Sequence, residues 1–217
     1  MKPHLIEQDN LEVAQRLAQQ RWRSLDPTKQ AARAGAEARP TEDGQIIVSF
    51  SYFAQDIEVI HPGGEVRRAD GEKGPPQWER ILLFHYLCAE EPIPEGDRVI
   101  AYSQIPDGKF YDDAYQRRTK LFLLRVFGDD PDRMAAAAKA LNAEPAEFGD
   151  VSVRVRALPM IDIYPVLWKG DEEFPADASV LLGERIRGFL NAEDTAVVAG
   201  LAVSYLAKAA AKQRGGG

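Results

Sequence analysis

Two short apolar runs followed by a Pro-Gly-Gly turn limit this chain more than any other feature. Ile46, Val48, Phe50 and Tyr52 recur with period two, which places them on one face of a strand. Residues 57–61 read as a second strand, Pro62-Gly63-Gly64 as a turn and residues 65–68 as a returning third strand. Strands this close in sequence must pair antiparallel, because a parallel partner needs a crossover of roughly a dozen residues or more. The chain therefore builds antiparallel sheet.

The rest of the chain supplies helices to cover it. Leu11, Ala14, Leu17, Ala18, Arg21, Trp22 and Leu25 follow helical spacing, and Asp26-Pro27 reads as an N-cap with proline at the first position of a second helix, to about residue 36. Residues 39–44 and 69–76 read as loops, the latter being the one boundary the sequence offers. Residues 78–90 are apolar on nearly every side, the signature of a buried helix. Residues 98–104 read as a strand. Residues 113–127 read as a helix closed by a left-handed Gly128, and a further helix runs from Asp130-Pro131 to about residue 141. Val151, Val153 and Val155 alternate with Ser152, Arg154 and Arg156, giving a strand with one wet face; residues 160–168 follow, with Pro165 expected at an edge or a bulge. Residues 178–190 and 192–212 read as helices, the second capped by Asn191.

These elements predict α+β architecture: one domain over residues 1–211, with a largely antiparallel sheet packed with helices, and a disordered tail at 212–217. At 217 residues the chain can bury roughly 70% of its unfolded surface without staples. One cysteine, Cys88, excludes an internal disulfide and a cysteine-ligated cluster within one chain. Lys and Arg total 27 against 34 Asp and Glu, a net charge of −7, which argues against nucleic acid as a partner. Residues 1–10 hold no apolar leader, and the apolar stretch 195–207 is short for a membrane span, so no membrane partner and a cytoplasmic location are expected.

The most distinctive local feature is Trp168-Lys169-Gly170-Asp171-Glu172-Glu173-Phe174-Pro175. Adjacent carboxylates can hold a hard cation or, with one pKa raised by crowding, move a proton. The competing reading is a solvated turn. There Asp171, Glu172 and Glu173 face water, Trp168 shares the face of Val166 and Tyr164 and reaches the core, and Phe174 tucks inward. His85 could serve as a ligand or base, or as a core histidine; Cys88, one turn on, reads as a small apolar residue. His4, His61 and His85 have no i+4 partner, so zinc-helix spacing is missing, and no phosphate-loop or nucleophile-elbow motif occurs. Gly108-Lys109-Phe110-Tyr111 reads either as a binding loop or as a hinge anchored by a buried Phe110. Arg117 and Arg118 read as surface charges.

One set of segments carries a resemblance. Residues 81–87 (Ile-Leu-Leu-Phe-His-Tyr-Leu), the segment ending in Pro106-Asp107-Gly108, Phe127-Gly128-Asp129-Asp130, and Leu158-Pro159 leading to the acidic run are similar in order and spacing to the domain of unknown function 3786 family. The similarity covers about residues 10–210. Tyr102-Ser103-Gln104 stands where a Phe-Arg-Glu-like triplet belongs. Members of that family resemble proteins of anaerobic bacteria and archaea, and some carry a cysteine-rich iron–sulfur module similar to those of corrinoid proteins; the first forty residues here hold no cysteine.

The resemblance implies a shared fold and no established activity. The missing catalytic motifs, an aromatic-rich cleft and the company its relatives keep lead to the expectation of a non-catalytic ligand-binding or accessory domain linked to anaerobic corrinoid or redox cofactor metabolism, with a small molecule or a cofactor-carrying protein as partner. Trp78, Tyr86, Phe110, Tyr111 and Trp168 are expected to line an aromatic cleft. The binding residues expected are Trp168, Asp171, Glu172, Glu173, His85, Tyr86 and Tyr111. No catalytic residue, metal ligand or specific cofactor is assigned. The alternatives are a metal-assisted or acid/base hydrolase or lyase using Asp171-Glu172-Glu173, and a protein-interaction module.

Overall fold

The computed structural model describes residues 5–215, with 5–9 and 215 described by backbone alone; His4 and the rest of residues 1–4 lie outside the described residues, as do 216 and 217. The α+β class and the antiparallel pairing hold. The strands form two sheets instead of one, in two compact units, Met1–Glu91 and Pro92–Gly217. The division does not fall in the 69–76 loop. That loop is tied to the strands beside it, through Ala69 N–H donating to Asp56 O at 2.9 Å and Gly74 lying against the Val66 carbonyl.

The first unit orders its elements as α1 (Leu5–Arg23), α2 (Pro27–Arg33), β1 (Glu37–Pro40), β2 (Ile46–Tyr52), β3 (Gln55–His61), β4 (Glu65–Arg68) and α3 (Gln77–Leu87). Asp26 caps α2 as its sequence predicts, Oδ1 accepting from Thr28 N–H at 2.9 Å and Lys29 N–H at 3.2 Å. The four strands pair in sequence order, all antiparallel. Val48, Phe50 and Tyr52 on β2 face Val59 and Ile57 on β3, and all five are buried. Helix α3 lies on this surface through two polar anchors. Tyr52 donates its hydroxyl to Glu79 Oε2 at 2.7 Å, and Tyr86, its ring tilted against Phe50 at 6.2 Å, donates to Ala34 O. Trp22 of α1 is fully buried and donates Nε1–H to Ile60 O at 3.4 Å. Gly64 must be glycine on two grounds: φ is +75°, and a Cβ would lie 3.1 Å from Gln19 Cγ. The expected loop from Arg39 gives up its first two residues, Arg39 and Pro40, to β1. The residues of β1 are mostly exposed and lack alternation, so pairing with β2 alone makes it a strand.

The second unit runs β5 (Val99–Ile100), a 3₁₀ turn (Tyr102–Gln104), α4 (Gly108–Arg118), α5 (Lys120–Phe127), α6 (Asp132–Ala138), β6 (Glu144–Pro145), β7 (Val151–Leu158), β8 (Ile161–Trp168), β9 (Asp177–Gly183), a 3₁₀ turn (Glu184–Gly188) and α7 (Ala192–Gly215). The sheet order is β5-β9-β8-β7-β6, antiparallel throughout. Two corrections concern this sheet. Residues 177–183 are strand, because pairing along the whole of β8 overrides their helix-compatible composition. Pro165 sits in the central strand: the ladder to β9 continues through Pro165 opposite Val180, while the ladder to β7 skips from Ser152–Val166 to Val155–Ile163. The missing N–H falls in that gap.

Three further differences concern helices. The expected 113–127 helix starts at Gly108 and breaks at Thr119, whose hydroxyl donates back to Tyr115 O at 2.6 Å. Gly128 is right-handed, φ −58° and ψ −37°. α7 continues through Gly215, so residues 212–215 are helical; Asn191 Oδ1 caps it by accepting from Asp194 N–H at 2.9 Å. By length and composition α7 could cross a membrane, yet more than half of that stretch is buried inside the protein.

The β2–β3 hairpin closes on two residues, Phe53 (φ +48°) and Ala54 (φ +60°), both left-handed and neither glycine. Such turns favour Asn-Gly. Phe53 is retained because its ring is buried, edge-on to Tyr52 at 4.9 Å. Ala54 gains nothing comparable from its methyl group. We therefore expect Ala54→Gly to raise unfolding stability by about 0.5–1 kcal/mol in urea denaturation; a loss of stability would show that the left-handed turn carries no strain.

Candidate functional site

A cleft of about 280 Å³ opens in the second unit, on the wet face of its sheet. Alternation builds it. Arg154 and Arg156 point from β7 to the face opposite Val153 and Val155, and Asp162 and Tyr164 share that face on β8. Gly183, in line with Asp162 across the β8–β9 ladder, leaves the floor of the cleft open. The chain entering β5 brings Gly96 and Asp97, and the chain leaving β9 brings Glu184 and Arg185.

Ion pairs fix these side chains. Arg156 Nε donates to Asp162 Oδ1 at 3.2 Å, Arg154 pairs with Glu144, and Arg185 bonds Asp97 at 3.0 Å and Gly96 O at 3.1 Å. Glu184 is buried, and its Oε1 accepts from both Arg98, at 2.8 Å, and Arg187, at 3.1 Å. Burial, and then the negative charge of Asp162, raises the pKa of the Tyr164 hydroxyl, so it stays protonated at neutral pH. Its ring is held edge-on by Phe148 at 5.7 Å.

None of the residues singled out from the sequence as binding residues lines this cleft. His85 is exposed on α3, correcting the reading of a helix buried all round; Trp78 is exposed too. Tyr86 is core, its hydroxyl spent on Ala34 O. Tyr111 and Phe110 lie in the first turn of α4, and Phe110 is 87% exposed, so it anchors no hinge. Trp78 and Tyr86 belong to the first unit, and Phe110, Tyr111 and Trp168 to the second.

The acidic run is a solvated turn. Asp171, Glu172 and Glu173 are exposed. Asp171 Oδ1 accepts from the N–H groups of Glu173 and Phe174, both at 2.8 Å, and its own N–H donates to Phe174 O at 2.9 Å. Those backbone donors hold its carboxyl below the usual range, the reverse of the shift a proton carrier needs. The two aromatics are not core residues: Phe174 is 68% exposed and Trp168 40%. Trp168 does share the face of Val166, but it is the last residue of β8, at the end of the ladder to β9. Its ring rests against Gly149 (φ +55°), where a Cβ would lie 3.1 Å from the indole. Among the described residues, no three His, Cys, Asp or Glu side chains are grouped to hold a metal.

Of this, Arg154 and Arg156 were visible as the polar side of a strand. Asp97 and Arg185 were not, since only the β5–β9 pairing unites segments so far apart in sequence.

Two outcomes follow. Burial pushes the Cys88 thiol up to about 11, against the opposing charge of Arg21, so alkylation by iodoacetamide at pH 8 should be far slower than for a small free thiol; a matching rate would contradict this. Asp171 should titrate, by side-chain carbon NMR, below the ordinary aspartate value of about 3.9. Because its folded-state pKa is depressed, its contribution to stability is present above that ordinary value and is lost as the pH falls through the folded-state pKa. Asp171→Asn should remove this pH dependence, and an unchanged acid limb would count against it.

No curated protein and no solved structure matches the chain. A family model, "Domain of unknown function (DUF3786)", matches residues 26–205, which spans most of both units. The chain belongs to the DUF3786 family.

Proposed function

We propose that this chain is a non-catalytic, cytoplasmic ligand-binding domain whose site is the cleft over Gly183. One observation carries the reading: charged side chains from three separate stretches converge on an open cleft whose floor is a glycine. Its volume, about 280 Å³, lies just below the range of drug-sized ligand pockets, which starts at roughly 300 Å³, and suits a small ligand. The anaerobic corrinoid or redox setting rests on the family resemblance. A corrin macrocycle exceeds this cleft, so within that setting the cleft takes one polar arm of a cofactor or a small precursor.

Acid–base chemistry at Asp171-Glu172-Glu173 draws less support, because Asp171 is held ionised by backbone donors. An interaction module draws support from the exposed Trp168, Phe174 and Leu121.

The test is native mass spectrometry, with an absorption spectrum, of the protein isolated anaerobically. Gly183 has φ −66° and ψ 131°, and a Cβ there meets nothing closer than 3.4 Å, so Gly183→Val fits the backbone while filling the cleft. The expected result is a non-covalent small-molecule adduct that Gly183→Val removes with the melting temperature nearly unchanged. An adduct retained in full by that variant would place the site elsewhere and overturn the reading.

A further inference from the structure

We infer that the cleft recognises the tetrahedral oxyanion of a small phosphate monoester, gripped by Arg154, Arg156 and Arg185. This rests on the ligand-binding reading above and names its ligand class. The first support is local charge. The ion pairs bordering the cleft bring together five guanidinium groups (Arg98, Arg154, Arg156, Arg185, Arg187) and four carboxylates (Asp97, Glu144, Asp162, Glu184). Within the lining itself Arg154, Arg156 and Arg185 balance Asp97, Asp162 and Glu184, and one positive charge is left in excess once their partners Arg98, Arg187 and Glu144 are counted, on a chain whose net charge is −7.

The second support is donor supply. A guanidinium carries five N–H donors in a rigid fork. Arg156 commits its Nε to Asp162, and its side chain is 55% exposed. Arg185 commits Nε to Gly96 O and one terminal nitrogen to Asp97. Both retain donors for a ligand. The most buried carboxylate, Glu184, is neutralised by two arginines and so does not repel an anion.

The third support is direction. Arg154 and Arg156 are two residues apart on one strand face, roughly 6–7 Å along it. Arg185 follows β9 and is tied to Asp97 and Gly96 at the entry to β5, on the side of β9 away from β7. Guanidiniums converging from two sides exceed what the two coplanar oxygens of a carboxylate can accept. The three free oxygens of a phosphate monoester, spread in three directions, can take all of them. The Tyr164 hydroxyl adds a neutral donor on the same face.

The test is isothermal titration of the full chain with methyl phosphate, inorganic phosphate and succinate, the first two separating an esterified from a free phosphate. Saturable binding of methyl phosphate is expected, tighter than succinate and weakened by salt. Arg156→Gln and Arg185→Gln should each lower the affinity roughly tenfold, with Arg156→Lys between Gln and the native residue because charge returns without the fork. Circular dichroism melts check that each variant is folded. Inorganic phosphate binding while methyl phosphate does not would overturn the monoester assignment. Succinate binding more tightly, or neither phosphate binding, would overturn the oxyanion class and leave the cleft standing if Gly183→Val still removes the native adduct. Methyl phosphate binding unchanged in Gly183→Val would overturn both readings.

Discussion

Burying a hydroxyl without an acceptor is costly, and four tyrosines that meet this constraint fix how helices and strands register within each unit. In the first unit Tyr52 reaches from strand to helix, to Glu79, and Tyr86 reaches from helix to the end of α2, at Ala34 O. In the second, Tyr102 donates to Ala192 O at 2.8 Å, where α7 begins, and Tyr115 of α4 donates to Val180 O of β9 at 2.6 Å. The Tyr102 and Tyr115 rings stack at 3.9 Å, only 6° from parallel. A helix slid by one residue would leave a hydroxyl and a carbonyl stranded, a cost that apolar contact alone does not impose. Burial pushes the pKa of Tyr102 up to about 12 and raises that of Tyr115, so both remain donors at any physiological pH.

The sequence was readable where local chemistry decides structure. Asp26 and Asn191 cap the helices they precede, and the Pro62-Gly63-Gly64 hairpin lies where its residues demand it. It was opaque where distant pairing decides. Residues 177–183 contain Val180, Leu181 and Leu182, which suit a helix as well as a strand, and only β8 alongside selects the strand. The Phe53-Ala54 turn escaped notice because it uses left-handed residues that carry no turn signature. Thr119 divides an apolar helical pattern that looked continuous, its hydroxyl competing for the Tyr115 carbonyl.

The same distinction governs the site. Clustered carboxylates are conspicuous in one dimension, yet Asp171 spends its charge on its own turn. The cleft is inconspicuous because its walls come from three stretches far apart in sequence, 96–97, 154–164 and 183–185: β5 is only two residues long, and its pairing with Leu182 and Gly183 is what brings Asp97 beside Arg185. The site therefore depends on one of the two shortest ladders in its sheet.

The sheet margins share a further property. β1 holds Glu37, Arg39 and Pro40 in four residues, β4 holds Glu65, Arg67 and Arg68 in four, β5 has two residues, and β6 is Glu144-Pro145. An exposed strand with a long row of free amides invites another chain to add itself, and each margin here denies that by brevity, charge or a missing N–H. The long strands with aliphatic faces, β2 and β3 in one sheet and β7, β8 and β9 in the other, are all interior to their sheets. Strand-swapped assembly and fibril growth are thus disfavoured at these four margins.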